Sequence, residues 1–273
     1  MTLLELLIAM TIMVMVVGTM GTLARGVQQG YQYAEGHGVA TQHARVALDR
    51  IAGMVREAMG NETFPGAIVL SREVGPWRFP DTLVVWHPDG AAADPAGVPR
   101  YNELVIYCPH PAHPNQLIEI TDTRTDALDS NPASWPAEIE AIRTARTSGG
   151  PSGTSDGQVV TLTKWLRESS LLDPDTSTLQ AFGAVRFETR LLPSADQWDA
   201  YDAETDAAQK AQLWEAMPWV QGICGVRTGL RQVWVRMELQ LMPGEGSTDG
   251  ADVRAIPFLG SAALFYELRR EDE

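Results

Sequence analysis

Cysteine is almost absent from this chain: Cys108 and Cys224 are the two in 273 residues, so one disulfide at most can close. Positive charge is also short, with 21 Lys and Arg against 35 Asp and Glu and a formal net charge of -14. A surface of that sign repels phosphates and anionic headgroups, which argues against a nucleic acid partner. No Gly-x-Ser-x-Gly elbow, Walker loop, dinucleotide fingerprint or His-Glu-x-x-His is present. Five histidines, three of them between 87 and 113, form no arrangement that spacing marks as catalytic. No enzyme and no cofactor is expected. Internal repeats and low-complexity tracts are missing as well.

Charge is missing altogether between Leu6 and Ala24. The first 24 residues, MTLLELLIAMTIMVMVVGTMGTLA, carry one charged side chain, Glu5. A helix of this length, at about 1.5 Å per residue, nearly crosses a hydrocarbon core of roughly 30 Å. The stretch therefore reads as a membrane helix, and Glu5 is its anomaly. A carboxylate one turn inside such a helix costs on the order of 2.5 to 3.5 kcal/mol to insert, so a partner or a task is expected for it. Arg25, the nearest basic side chain, is about five turns away. In a parallel bundle of staggered helices, Glu5 of one chain could meet the free α-ammonium of residue 1 of the next.

Met1, Thr2, Leu3, Leu4, Glu5, Leu6, Leu7, Ile8 and Ala9 together resemble the mature N-terminus of the type IV pilin and pseudopilin superfamily. The resemblance covers roughly the first 25 residues. It departs from the family in having Met rather than Phe at position 1 and no short basic leader ending in Gly. The expectation is a processed chain, with an initiator Met1 as the alternative. The resemblance implies an α+β, pilin-like fold and prepilin peptidase cleavage before Met1, followed by N-methylation. It implies a single-pass protein of the cytoplasmic membrane with a periplasmic or extracellular head. It makes Met1 and Glu5 assembly residues, and other minor and major pilins or pseudopilins the partners.

Past Ala24, Gly26, Gly30, Gly36 and Gly38 each lower helix propensity by about 1 kcal/mol, so a weak or interrupted stretch is expected there. Further on, Ala44, Leu48, Ile51, Val55 and Ala58 recur at helical spacing while Arg45, Asp49 and Arg56 hold another face. Gly60 and Asn61 form the stop. The division is thus 1-24 as transmembrane and assembly helix, 25-60 as its amphipathic continuation, and 61-273 as a β-rich head with antiparallel sheet. Within the head, DTLVVWH, YNELVIYC and NQLIEIT read as strands of a meander, with 88-100 a long hairpin connection. SWPAEIEAIRTAR reads as a short helix, SGGPSGTSDG as a flexible loop, and QVVTLTKWLRES as a strand and turn. AVRFETRLL, GLRQVWVRMELQLM and AALFYELRR read as strands, with a helix in the polar stretch after the first. In the second of these, Val233, Val235, Met237, Leu239 and Leu241 form the core face. This order is similar to the C-terminal half of J-type (GspJ-like) minor pseudopilins of type II secretion and of PilW-like minor pilins. It implies a large-headed subunit that primes or caps a filament at its tip.

Other constellations are weaker. Cys108, His110 and His113, with His87 nearby, supply zinc- or copper-type donors, but three prolines fix an extended backbone, and a strand-exit loop is the simpler expectation. They carry the alternative function, a membrane-anchored extracytoplasmic enzyme or metal-binding domain. Asp173, Asp175 and Ser177 imitate the start of a calcium loop without its Gly and Glu, and Asp122, Asp126 and Asp129 form an acidic run; no metal is assigned to either. Trp77, Trp86 and Trp135 are core anchors or an exposed patch. If the head is exported, Cys108 and Cys224 either pair, closing a loop of roughly 100 residues worth up to about 4.7 kcal/mol, or remain two buried thiols.

Overall fold

A computed structural model describes residues 2–147, 157–243 and 255–270. Met1 and most of the loop expected at 148–157 lie outside the described residues.

The first element, α1, runs without a break from Leu3 to Arg56. Thr2 caps it, accepting the Glu5 N–H through its side chain, while the Glu5 carboxylate accepts the Thr2 N–H. The expected interruption at the glycines does not occur. Glycine lowers propensity but, unlike proline, keeps its N–H, so the hydrogen-bond ladder continues through it. Gly36 has a further role, for the Pro243 carbonyl lies where its Cβ would be. The chain leaving β9 passes α1 there at Pro243, as only glycine permits.

Five strands follow as an antiparallel meander: β1 (Ala67–Val74), β2 (Trp77–Trp86), β3 (Leu104–Pro109), β4 (Leu117–Asp122) and β5 (Gly157–Thr163). A hairpin, β6 (Glu168–Leu172) with β7 (Leu179–Gly183), leads to a second antiparallel sheet in the order β10-β9-β8, from β8 (Val185–Leu192), β9 (Thr228–Leu241) and β10 (Ile256–Arg269). The helix expected at 134–146 is α2 (Trp135–Thr147). The polar stretch after β8 holds two helices rather than one, α3 (Ala195–Asp202) and α4 (Ala207–Ala216), because Ser194 and Asp206 each supply a cap.

The larger core lies between the sheets. Ala40, Ala44, Ala47, Ile51, Ala52 and Val55 of α1 meet Leu83, Val85, Val105 and Tyr107 of the first sheet. Val233, Val235, Met237, Leu239 and Leu241 of β9 close it from the other side, each fully buried, as their alternation requires. The small alanines let α1 approach closely. It packs against β10 and β9 on one flank and β5 on the other, while β8 lies beside β1 and β2. A second core covers the opposite face of the first sheet, where Val84, Trp86, Ile106, Cys108 and Ile118 meet Ile139 and Ile142 of α2. This double burial explains the unbroken apolar runs in β2 and β3.

Candidate functional site

The candidate site is the stem. From Leu3 to Glu35 every residue of α1 is exposed, so a rod about 50 Å long, at ~1.5 Å per residue, projects from the head. This one helix near the N-terminus is long and apolar enough to cross a membrane, and none of its most apolar stretch is buried in the protein. Its part up to Ala24, apolar all round, is stable only where lipid or other helices replace water.

Glu5 stands in the first turn of that rod, where the helix dipole favours a carboxylate. The Thr2 N–H donates to its Oε2 at 2.8 Å, and its own N–H donates to Thr2 Oγ1 at 3.4 Å. Its Oε1 accepts no hydrogen bond among the described residues. Glu5 thus closes a capping box and keeps acceptor capacity for a group from outside. Met1, the other expected assembly residue, lies outside the described residues.

The Cys/His cluster is not assembled. Cys108 points into the second core, where burial raises its thiol pKa to about 12, far from thiolate chemistry. His110 and His113 lie on the exposed loop beyond it, rings 5.1 Å apart, and His110 Nδ1 accepts the Ala112 and His113 N–H groups. Burial, then the neighbouring His113, lowers the His110 pKa. His87 faces Glu57 instead, at 3.3 Å. Among the described residues no group of three or more His, Cys, Asp or Glu could hold a metal ion.

Asp173 serves the β6–β7 turn, accepting from the Asp175 N–H and Gln180 Nε2. Asp122 is held by Arg124 and Arg146, at 2.8 and 2.9 Å, and Asp129 accepts the Asn131 N–H. Cys108 and Cys224 are separate free thiols: the first is buried under α2 and the second exposed on the loop before β9. The exposed tryptophan patch is not formed either. Trp77 is 58% exposed, but Trp86 and Trp135 are buried around Phe64.

Sequence reasoning missed the clasp that holds the stem to the head. Arg50 of α1 donates through Nε and Nη2 to both carboxylate oxygens of Glu119 on β4, at 2.5 and 2.6 Å. Glu119 was the one charge within the apolar run NQLIEIT, and a buried strand charge calls for such a partner.

The fold and stem define a class, an α+β head carried on a helix long enough to span a membrane. Comparison with protein-family models, curated proteins and solved structures found no match.

Proposed function

We propose that this protein is a pilin-like subunit that primes or caps assembly of a type IV pilus or type II secretion pseudopilus. The observation that carries the reading is the wholly exposed rod of about 50 Å, apolar as far as Ala24 but for the Glu5 carboxylate in its first turn, with the head gripping only the other end. Such a rod can anchor the chain in the membrane by a single pass and then exchange lipid for other helices. In a staggered bundle Oε1 of Glu5, which accepts nothing from the described residues, accepts a hydrogen bond from the α-ammonium of the neighbour's Met1. N-methylation by prepilin peptidase leaves that ammonium charged, so the pairing survives processing. The head, whose described residues form a five-stranded sheet, a three-stranded sheet, a hairpin and three further α-helices, is wide relative to a single helix, which suits a tip better than a shaft.

Two substitutions separate the charge of Glu5 from its capping role. Glu5→Gln keeps a side-chain acceptor for the Thr2 N–H and removes the charge, while Glu5→Ala removes both. Both are expected to leave the head folded and to reduce filament number and secretion by tenfold or more. Unchanged filaments with Glu5→Gln would sink the proposed role. The N-terminal peptide mass of protein recovered from its native membrane is the companion measurement, with N-methyl-Met1 directly before Thr2 expected.

A further inference from the structure

We propose that the free edge of β10 is a docking site for an extended, acidic segment of another polypeptide. β10 is 14 residues long and pairs with β9 along its whole length, and its other edge bonds to no described strand. Long open edges carrying apolar side chains are ones that proteins ordinarily cover, and here Leu259 and Phe265 stand 63% and 51% exposed. α1 packs on the core-facing side of the strand, with Leu48 against Gly260, and leaves the outer side open. Beside that contact runs a cleft of about 310 Å³, walled by Arg45, Asp49 and Arg56 of α1 and floored by Leu259 and Ser261. Arg56 and Ser261 also border the next hollow, of about 510 Å³, which reaches Trp234, Ala263 and Phe265. The two hollows form one trough along β10 from Phe258 to Phe265, about 23 Å at ~3.3 Å per residue.

The charge of the trough sets the chemistry of its occupant. The side chains of Arg45, Asp49 and Arg56 take part in no ion pair or hydrogen bond among the described residues, whereas on the outer face of β8 and β9 Arg186 stands opposite Glu238 and Glu188 opposite Arg236, so those charges balance. Farther along β10, Glu267 and Arg269 cancel. Among the described residues the α1 wall of the trough therefore carries two arginines, Arg45 and Arg56, against one carboxylate, Asp49, in a chain whose acids outnumber bases 35 to 21. An added strand would take its main-chain hydrogen bonds from the β10 edge. Its apolar side chains would lie on Leu259 and Phe265, and its carboxylates would reach Arg45 and Arg56. The trough lies on the head, so the inference stands independently of what the stem assembles with.

Hydrogen exchange on the full chain in detergent micelles tests it, with two synthetic peptides of about ten residues as probes, one alternating Val with Glu and the other Val with Lys. The Val/Glu peptide is expected to slow exchange of β10 amides between Phe258 and Phe265, and the Val/Lys peptide to leave them unchanged. Arg45→Glu with Arg56→Glu should invert that preference, each affinity changing by about tenfold or more. The milder pair Arg45→Gln with Arg56→Gln should weaken Val/Glu binding without creating Val/Lys binding. Equal protection by both peptides, protection by neither, or a preference that survives charge reversal overturns the proposal. Concentration-dependent protection without any peptide would make the occupant a second copy and would overturn it equally.

Discussion

Arg50 and Glu119 differ in what each would lose if the other were removed. Glu119 is 4% exposed and its partner 44%, so taking away the guanidinium strands a carboxylate in the interior, whereas a stranded Arg50 would find water. Fully buried pairs broken in this way cost about 3 to 5 kcal/mol, and the half-exposed arginine lowers that figure. Arg50→Ala is expected to destabilise the head by about 2 kcal/mol, read as a lower urea midpoint, with Arg56→Ala as an unpaired control near zero. Equal midpoints for the two variants would mean the clasp is ornamental. Asp122 gives the matching pH dependence. Burial alone would raise its pKa, but the Arg124 side chain and N–H donate to it, and the Arg124 and Arg146 charges add to them, so the net shift is downward. A carboxylate lowered on folding stabilises the head fully above the ordinary Asp range, and that contribution is lost as pH falls through the lowered pKa. Asp122→Asn should therefore reduce stability near pH 7 and flatten the acid limb of a stability-against-pH curve below about pH 4. An acid limb as steep as that of the parent would refute the assignment.

At the scale of elements, the glycines of α1 look alike in the sequence and differ in the structure. Nothing lies within 4 Å of a Cβ placed on Gly26, Gly30 or Gly38, while on Gly36 it would meet the Pro243 carbonyl. Alanine at any of the first three should stabilise the helix by up to about 1 kcal/mol, and Gly36→Ala should instead displace the crossing segment and lower stability. Thermal melts followed by circular dichroism distinguish the two directions; a stabilising Gly36→Ala would count against the close crossing. The same contrast shows what was legible. Periodicity alone located the buried face of α1 and the core face of β9, because both patterns are set by local geometry and a single apolar side. It could not reveal that Gly36 faces a carbonyl 207 positions later, that Trp86 and Trp135 converge on Phe64, or that Glu119 awaits Arg50. Those are long-range pairings, invisible to a window that slides along one element. The stem was the most readable segment because its apolar run has no tertiary partner among the described residues of the chain. The trough was the least, since its walls come from α1 and β10, the two ends of the sequence.

At the scale of the whole molecule, α1 belongs to two bodies. Residues before Gly36 bury nothing in the head, while Ala40, Ala44, Ala47, Ile51, Ala52 and Val55 lie at 0 to 5% exposure in its larger core. Removing the outer part should therefore leave the head's packing intact, and removing the inner part should open a void along β9 and β10 that no other element fills. A fragment 36–273 is expected to be soluble without detergent and to unfold at a urea midpoint close to that of the full chain. A fragment 57–273, lacking the inner half, is expected not to unfold cooperatively at all, since six core side chains and the Arg50 clasp leave together. If 36–273 were instead much less stable than the full chain, the stem would support the head rather than merely extend from it. If 57–273 kept a cooperative transition, the helix would be docked on a head that is complete without it.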